Sequence, residues 1–157
     1  MPISVGQARA RRRRVRRIAA GLGFVGRVRY LHIYSLAGGA QYGLASSEEH
    51  DLLTVYAEAF ERDANPEDFS LEAIIAHERG HPLLARHPRL APRIAGRTSA
   101  VGEEVLASIL GALISPALSD RETLLAKAVF ELLERGEHSE SATRLVRQLE
   151  EYLEALL

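Results

Sequence analysis

His77, Glu78 and His81 are the residues whose types and spacing could do chemistry, in the stretch Leu71-Glu-Ala-Ile-Ile-Ala-His-Glu-Arg-Gly-His-Pro-Leu-Leu84. On an α-helix, positions i and i+4 share a face one turn apart, so two imidazoles in a His-Glu-x-x-His pattern reach one metal ion. Glu78 stands about 100° round the same turn, where its carboxylate can take a proton from a metal-bound water without itself being a ligand. The preceding run predicts that helix, with Ser70 as N-cap and Leu71, Ile74 and Ile75 as its apolar stripe. The plainer alternative is a solvated pair of histidines beside a carboxylate. The apolar run argues for burial instead, and two buried imidazoles with a carboxylate need a partner that a metal supplies.

Zinc takes a third protein ligand and keeps its fourth position for water. The chain has no cysteine, so that ligand is a histidine or a carboxylate. His87 follows His77 at the spacing of His-Glu-x-x-His-x-x-Gly-x-x-His, the metzincin pattern. That pattern wants glycine at position 84, where this chain has Leu84, a residue strained in a left-handed turn. It also wants a Met-turn, and the only methionine is Met1. Glu104 competes from the next helix. Positions 104, 107, 108 and 111 are Glu, Ala, Ser and Gly, a face small enough for another helix backbone to come close around one carboxylate. Glu103 is the fallback, on a face that breaks the small stripe.

With these residues in place, the segment from Ser70 to Gly111 resembles the gluzincin metallopeptidases, whose second helix carries a ligand in a Glu-x-x-Ala/Ser-Asp/Asn pattern. It looks most like the ImmA/IrrE-type branch and the minimal gluzincins related to it. The resemblance implies a zincin-like fold and a Zn2+ ion held by His77, His81 and Glu104, with Glu78 as catalytic base. It implies a hydrolase, a zinc metalloprotease acting on peptide or protein substrates. Three positions differ from the family pattern: Arg79 replaces an apolar residue, Pro82 follows the second histidine, and Ser108 replaces the usual Asp or Asn. Pro82 and Ser108 carry an alternative, a non-catalytic zinc-binding regulatory or interaction module. The retained Glu78 argues against it, because a purely structural site has no use for that carboxylate.

The elements that must position these residues read as α+β, in one domain over residues 1–157. Gln7 to Ala20 predicts an arginine-rich helix ended by Gly21 and Gly23, within an N-terminal segment of residues 1–23. Arg27 to Ser35 reads as a strand, Ala37 to Ala40 as a turn, and Gln41 to Ala45 as a returning strand. His50 to Phe60 fits both periods and is read as a strand, whose free edge could hold an extended substrate. His32, His50, Tyr56 and the arginines are candidate oxyanion donors. After a break at His87 to Pro92, Ser99 opens a helix to Ile114, with Val101, Val105, Leu106, Ile109, Leu110 and Leu113 facing the core. Residues 118–157 form a helical pair. Ser119 to Glu122 reads as a capping box, Gly136 as the stop, and Ser141 to Leu157 as a last helix that packs on the core or makes a homodimer.

The net charge of −1 conceals an asymmetry. Residues 1–47 hold nine arginines and no carboxylate; the remainder holds eleven Lys and Arg against twenty-one Asp and Glu. The basic head packs against the acidic body or binds nucleic acid through phosphates. A chain beginning near Gly21 is expected to keep the metal, because His32 is the only imidazole and no carboxylate occurs before residue 48. No run is long enough to span a bilayer, and the start lacks the form of a signal peptide, so the expectation is a cytoplasmic protein with no membrane partner.

Overall fold

The computed structural model describes residues 2–34, 40–44, 51–61, 69–87, 89 and 102–157. Helix α1 spans Val5–Gly21 and leads into strands β1 (Arg27–Leu31), β2 (Ala40–Leu44) and β3 (Asp51–Tyr56). A short 3₁₀ turn, Ala57–Phe60, follows. Helix α2 is Leu71–Ala85, α3 Glu103–Ile114, α4 Leu118–Glu134 and α5 Ser139–Leu156. The α+β class read from the sequence is the class of the fold. Ser99, Val101, Pro92 and His50 lie outside the described residues.

The strand order is β1-β3-β2, with β1 parallel and β2 antiparallel to β3. The third strand is therefore central, and the expectation that its edge is free is corrected: Val55 pairs with Tyr30 on one side and Ala40 on the other. The burial pattern gives the reason. Leu53, Thr54 and Val55 are buried in succession, as in a strand covered on both faces, which explains why alternation was ambiguous there. The strand also stops at Tyr56, and residues 57–60 take the 3₁₀ turn instead.

Helix ends follow local chemistry. Ser70 Oγ accepts from Ala73 N–H and donates to Asp120 Oδ1 at 2.7 Å, so the residue that caps α2 also ties it to the first turn of α4. Gly23 (φ +77°) and Gly136 (φ +93°) take the left-handed conformation after α1 and α4. The capping box expected at Ser119 does not form. Helix α4 begins at Leu118 with Ala117 at the N-cap, so Ser119 is already inside the first turn and cannot cap it.

Two larger cores meet at α2, beside a small cluster of Ala73, Ala76, Ala112 and Leu124. On one side Ile74, Ile75 and Leu71 pack with Val15 and Ala19 of α1 and with Tyr30, Leu53 and Val55 of the sheet. On the other, Leu83 and Leu84 join Val105, Leu106, Ile109 and Leu110 of α3 and the buried faces of α4 and α5. Val146, Leu149 and Leu153 of α5 are spent within this second core. Helix α3 is buried on all sides from Val105 to Ala112, and its contact with α2 is the most extensive between elements of the described structure. Val15 and Ala19 are fully buried, so removing the N-terminal segment would open the first core before it tested metal binding.

Candidate metal centre

The approach of α3 to α2 is set by two glycines. A Cβ on Gly80 would stand 2.1 Å from the Ala107 carbonyl oxygen, and one on Gly111 would stand 2.6 Å from the Ala76 carbonyl oxygen. Backbone meets backbone at both places, and only hydrogen fits there. Gly111 belonged to the small face anticipated on α3. Gly80 is the complementary notch inside the His-Glu-x-x-His pattern, and it was not singled out.

That approach brings α3 side chains onto both imidazoles. His77 is buried, and its Nε2 lies 3.0 Å from Glu104 Oε2 while its Nδ1 lies 2.9 Å from Ser108 Oγ. His81 is nearly buried; its Nε2 lies 3.4 Å from Glu104 Oε1 and its Nδ1 lies 3.0 Å from Glu103 Oε1. The rings stand edge to face, 5.2 Å apart. Each imidazole is thus gripped at Nδ1 by one α3 side chain, and both Nε2 atoms converge on the two oxygens of Glu104. Glu78 joins the group from α2. One donor atom each from His77, Glu78 and His81 lies within 4.8 Å of the others, a set that could hold a metal ion.

Glu104 is not in that three-residue group, but its carboxylate meets both of the group's imidazoles. Its side chain is half exposed, yet its pKa is lowered to about 2, chiefly by the hydrogen bond from His77; burial opposes this as the next largest effect, and the charges of His77, His81 and Lys127 each lower it further by less. One ionised carboxylate is thereby held against two imidazoles. The nitrogens are oriented from behind, as imidazole ligands require.

His87 stands elsewhere. It follows the end of α2, where its N–H donates to the Leu84 carbonyl, and it is not in the donor group formed by the described residues. Glu103 serves His81 at Nδ1, on the side away from Glu104. Ser108 is fully buried and reaches His77. Pro82 is accommodated inside α2, which continues to Ala85. Of the candidate oxyanion donors, His32 lies against the Tyr30 hydroxyl (2.9 Å), and Tyr56 ends β3.

Arg79 has a different task. Its side chain is buried, and its Nε donates to the Leu22 carbonyl at 3.1 Å, at the C-cap of α1. A cation there meets the negative end of the helix dipole as well as an orphan carbonyl. Glu78 faces the metal group while Arg79 grips α1, so adjacent residues of one turn serve two different purposes. Nothing in the spacing of the pattern signals this, because the target is a backbone atom with no residue identity.

No described helix is long and apolar enough to cross a membrane. No family model, no curated protein and no solved structure matches the chain.

Proposed function

We propose that this chain is a zinc-dependent metallopeptidase of the gluzincin kind, with His77, His81 and Glu104 as metal ligands and Glu78 as general base. The observation that carries the reading is the convergence of both Nε2 atoms on Glu104 while Ser108 and Glu103 hold the opposite nitrogens. A structural ion would be satisfied by ligands alone. Here a further carboxylate, Glu78, stands within reach of the same donors.

When bound, zinc polarises a substrate carbonyl and acidifies the water beside it. The chain's own residues supply the rest. Glu78 accepts a proton at its carboxylate and delivers it to the departing amine, so it is restored at the end of each turnover. Ser108 and Glu103 keep the imidazoles from rotating. An extended peptide has a place to lie along β2, the edge strand that packs against α2, in the role first expected of residues 51–60.

The test is to compare wild type with Glu78→Gln, which keeps the side-chain volume and removes the base. Both proteins should bind one equivalent of zinc by elemental analysis. Cleavage of casein or an unstructured peptide library should fall roughly 10³-fold in the variant. A chelator should abolish cleavage by wild type, and added zinc should restore it. Equal cleavage by both proteins would remove the catalytic assignment, and cleavage by neither, with zinc bound, would favour the non-catalytic module.

A further inference from the structure

Five arginines of α1 lie on one exposed face: Arg9, Arg12, Arg13, Arg16 and Arg17. Their positions are i, i+3, i+4, i+7 and i+8, the spacing of a single helical stripe, here pointing outward. The stripe runs roughly 12 Å along the axis at ~1.5 Å per residue. At its end it meets two more exposed arginines. Arg16, Arg27 and Arg29 line one open cleft of about 520 Å³, floored by Ala20, Phe24 and Val28.

Among the described residues, no ion pair neutralises the charge of the α1 stripe. Arg14, on another side of α1, pairs with Glu72 at 3.2 Å, and Arg11 donates to the Tyr30 hydroxyl. Arg29 donates from Nε to the neutral Thr54 hydroxyl and makes no ion pair among the described residues. Like charges at i,i+4 spacing weaken the helix that carries them, so the folding of α1 does not account for the stripe.

We infer that the arginine face of α1, continued by Arg27 and Arg29, is a binding surface for nucleic acid, contacted through its phosphate backbone without sequence preference. A single small anion would need only the cleft and would leave the stripe unused. A membrane-surface helix inserts its own apolar face, and in α1 that face is already committed: Val15 and Ala19 are fully buried in the first core. A row of phosphates is the anion that fits an extended row of guanidinium groups.

The experiment uses the full chain and labelled oligonucleotides of about 20 nucleotides, single-stranded and duplex, read by anisotropy. Neutralising five to seven phosphates predicts an affinity that falls about 10²- to 10⁴-fold between about 50 and 200 mM salt. Replacing Arg12, Arg13 and Arg16 together by alanine should weaken binding at least ~10-fold at low salt and reduce the slope of log K against log salt by roughly two to three. The same three changed to lysine should bind within a few-fold of wild type, because a phosphate contact of this kind needs charge more than a fork. Arg13→Gln, a single exposed change with little reach into the fold, should lower the slope by roughly one. Binding insensitive to salt, or unchanged in Arg13→Gln and the alanine variant, overturns the proposal. So does full displacement by millimolar inorganic phosphate, which would mark a single-anion site, or tighter binding to phosphatidylserine vesicles than to either oligonucleotide.

Discussion

Two neighbouring glutamates divide the work at the residue scale. Glu104 meets both Nε2 atoms; Glu103, one step round the helix, meets His81 Nδ1. Glu104→Ala should therefore lower zinc affinity by more than the roughly 10- to 100-fold expected when Ser108→Ala removes an orienting partner, while His87→Ala should leave it nearly unchanged. Zinc titration against a competing chelating dye measures all three, and the reverse ranking would return the third-ligand role to His87. A second expectation concerns acid. The pKa of Glu104 is lowered from 4.5 to about 2, mainly by the His77 hydrogen bond. A depressed carboxylate stabilises the folded chain above its unfolded pKa, and the contribution disappears as pH falls through the folded value. With chelator present, wild type should resist denaturant better than Glu104→Gln near pH 5, and the gap should close toward pH 2. A gap independent of pH would mean that the ion pair is not its source. The grouping of His77, Glu78 and His81 was legible because metal geometry restricts residue types and spacing. The grip of Arg79 on Leu22 and of Glu103 on His81 was not, since both depend on how two elements dock.

Docking is the question at the element scale, and α2 with α3 answers most of it. The small face on α3 could be read from residue sizes, and it forecast a close approach. Its complement, Gly80, was hidden inside a pattern whose variable positions carry no information about packing. Gly80→Ala places a methyl against the Ala107 carbonyl, a backbone atom that cannot rotate away. Overpacking of this kind costs about 1–3 kcal/mol and moves α3 outward. Thermal melting should show the lost stability, and zinc affinity should fall with it because Glu104 retreats from both imidazoles. Ala85→Gly, at an exposed position on the same helix, controls for a change of helix propensity. Full zinc affinity in Gly80→Ala would show that the site tolerates a wider gap than this geometry implies. Sheet order was the least legible feature. Strand existence near 27–31, 40–44 and 51–56 followed from composition, but insertion of β3 between β1 and β2 depends on long-range pairing that no local pattern encodes.

At the scale of the whole molecule, the two larger cores of the described residues meet at α2, with the His77, Glu78 and His81 group on one side of that helix and the arginine face beyond the first core. This arrangement changes what the N-terminal segment means. From the sequence it reads as a detachable basic head, because it carries no imidazole and no carboxylate side chain that could ligate a metal. In the fold, its apolar residues close the first core and its C-terminal carbonyl is held by Arg79. Deleting residues 1–20 removes Val15 and Ala19 from contact with the sheet and with α2. Burying a valine side chain is worth about 1.5–3 kcal/mol, and the partners it covers are exposed when it leaves. Against a total stability of about 5–15 kcal/mol, the loss is severe. The truncated chain should melt at least roughly 10 °C lower, from a shift of about 2–4 °C per kcal/mol in a chain of this size. Zinc uptake should weaken in step with folding, and near-ultraviolet circular dichroism at low temperature separates the two effects. By contrast, changing Arg12, Arg13 and Arg16 to alanine touches only the exposed face and should leave melting and zinc uptake near wild type. If the truncated chain melts like the full one, α1 is an independent appendage and the first core is complete without it.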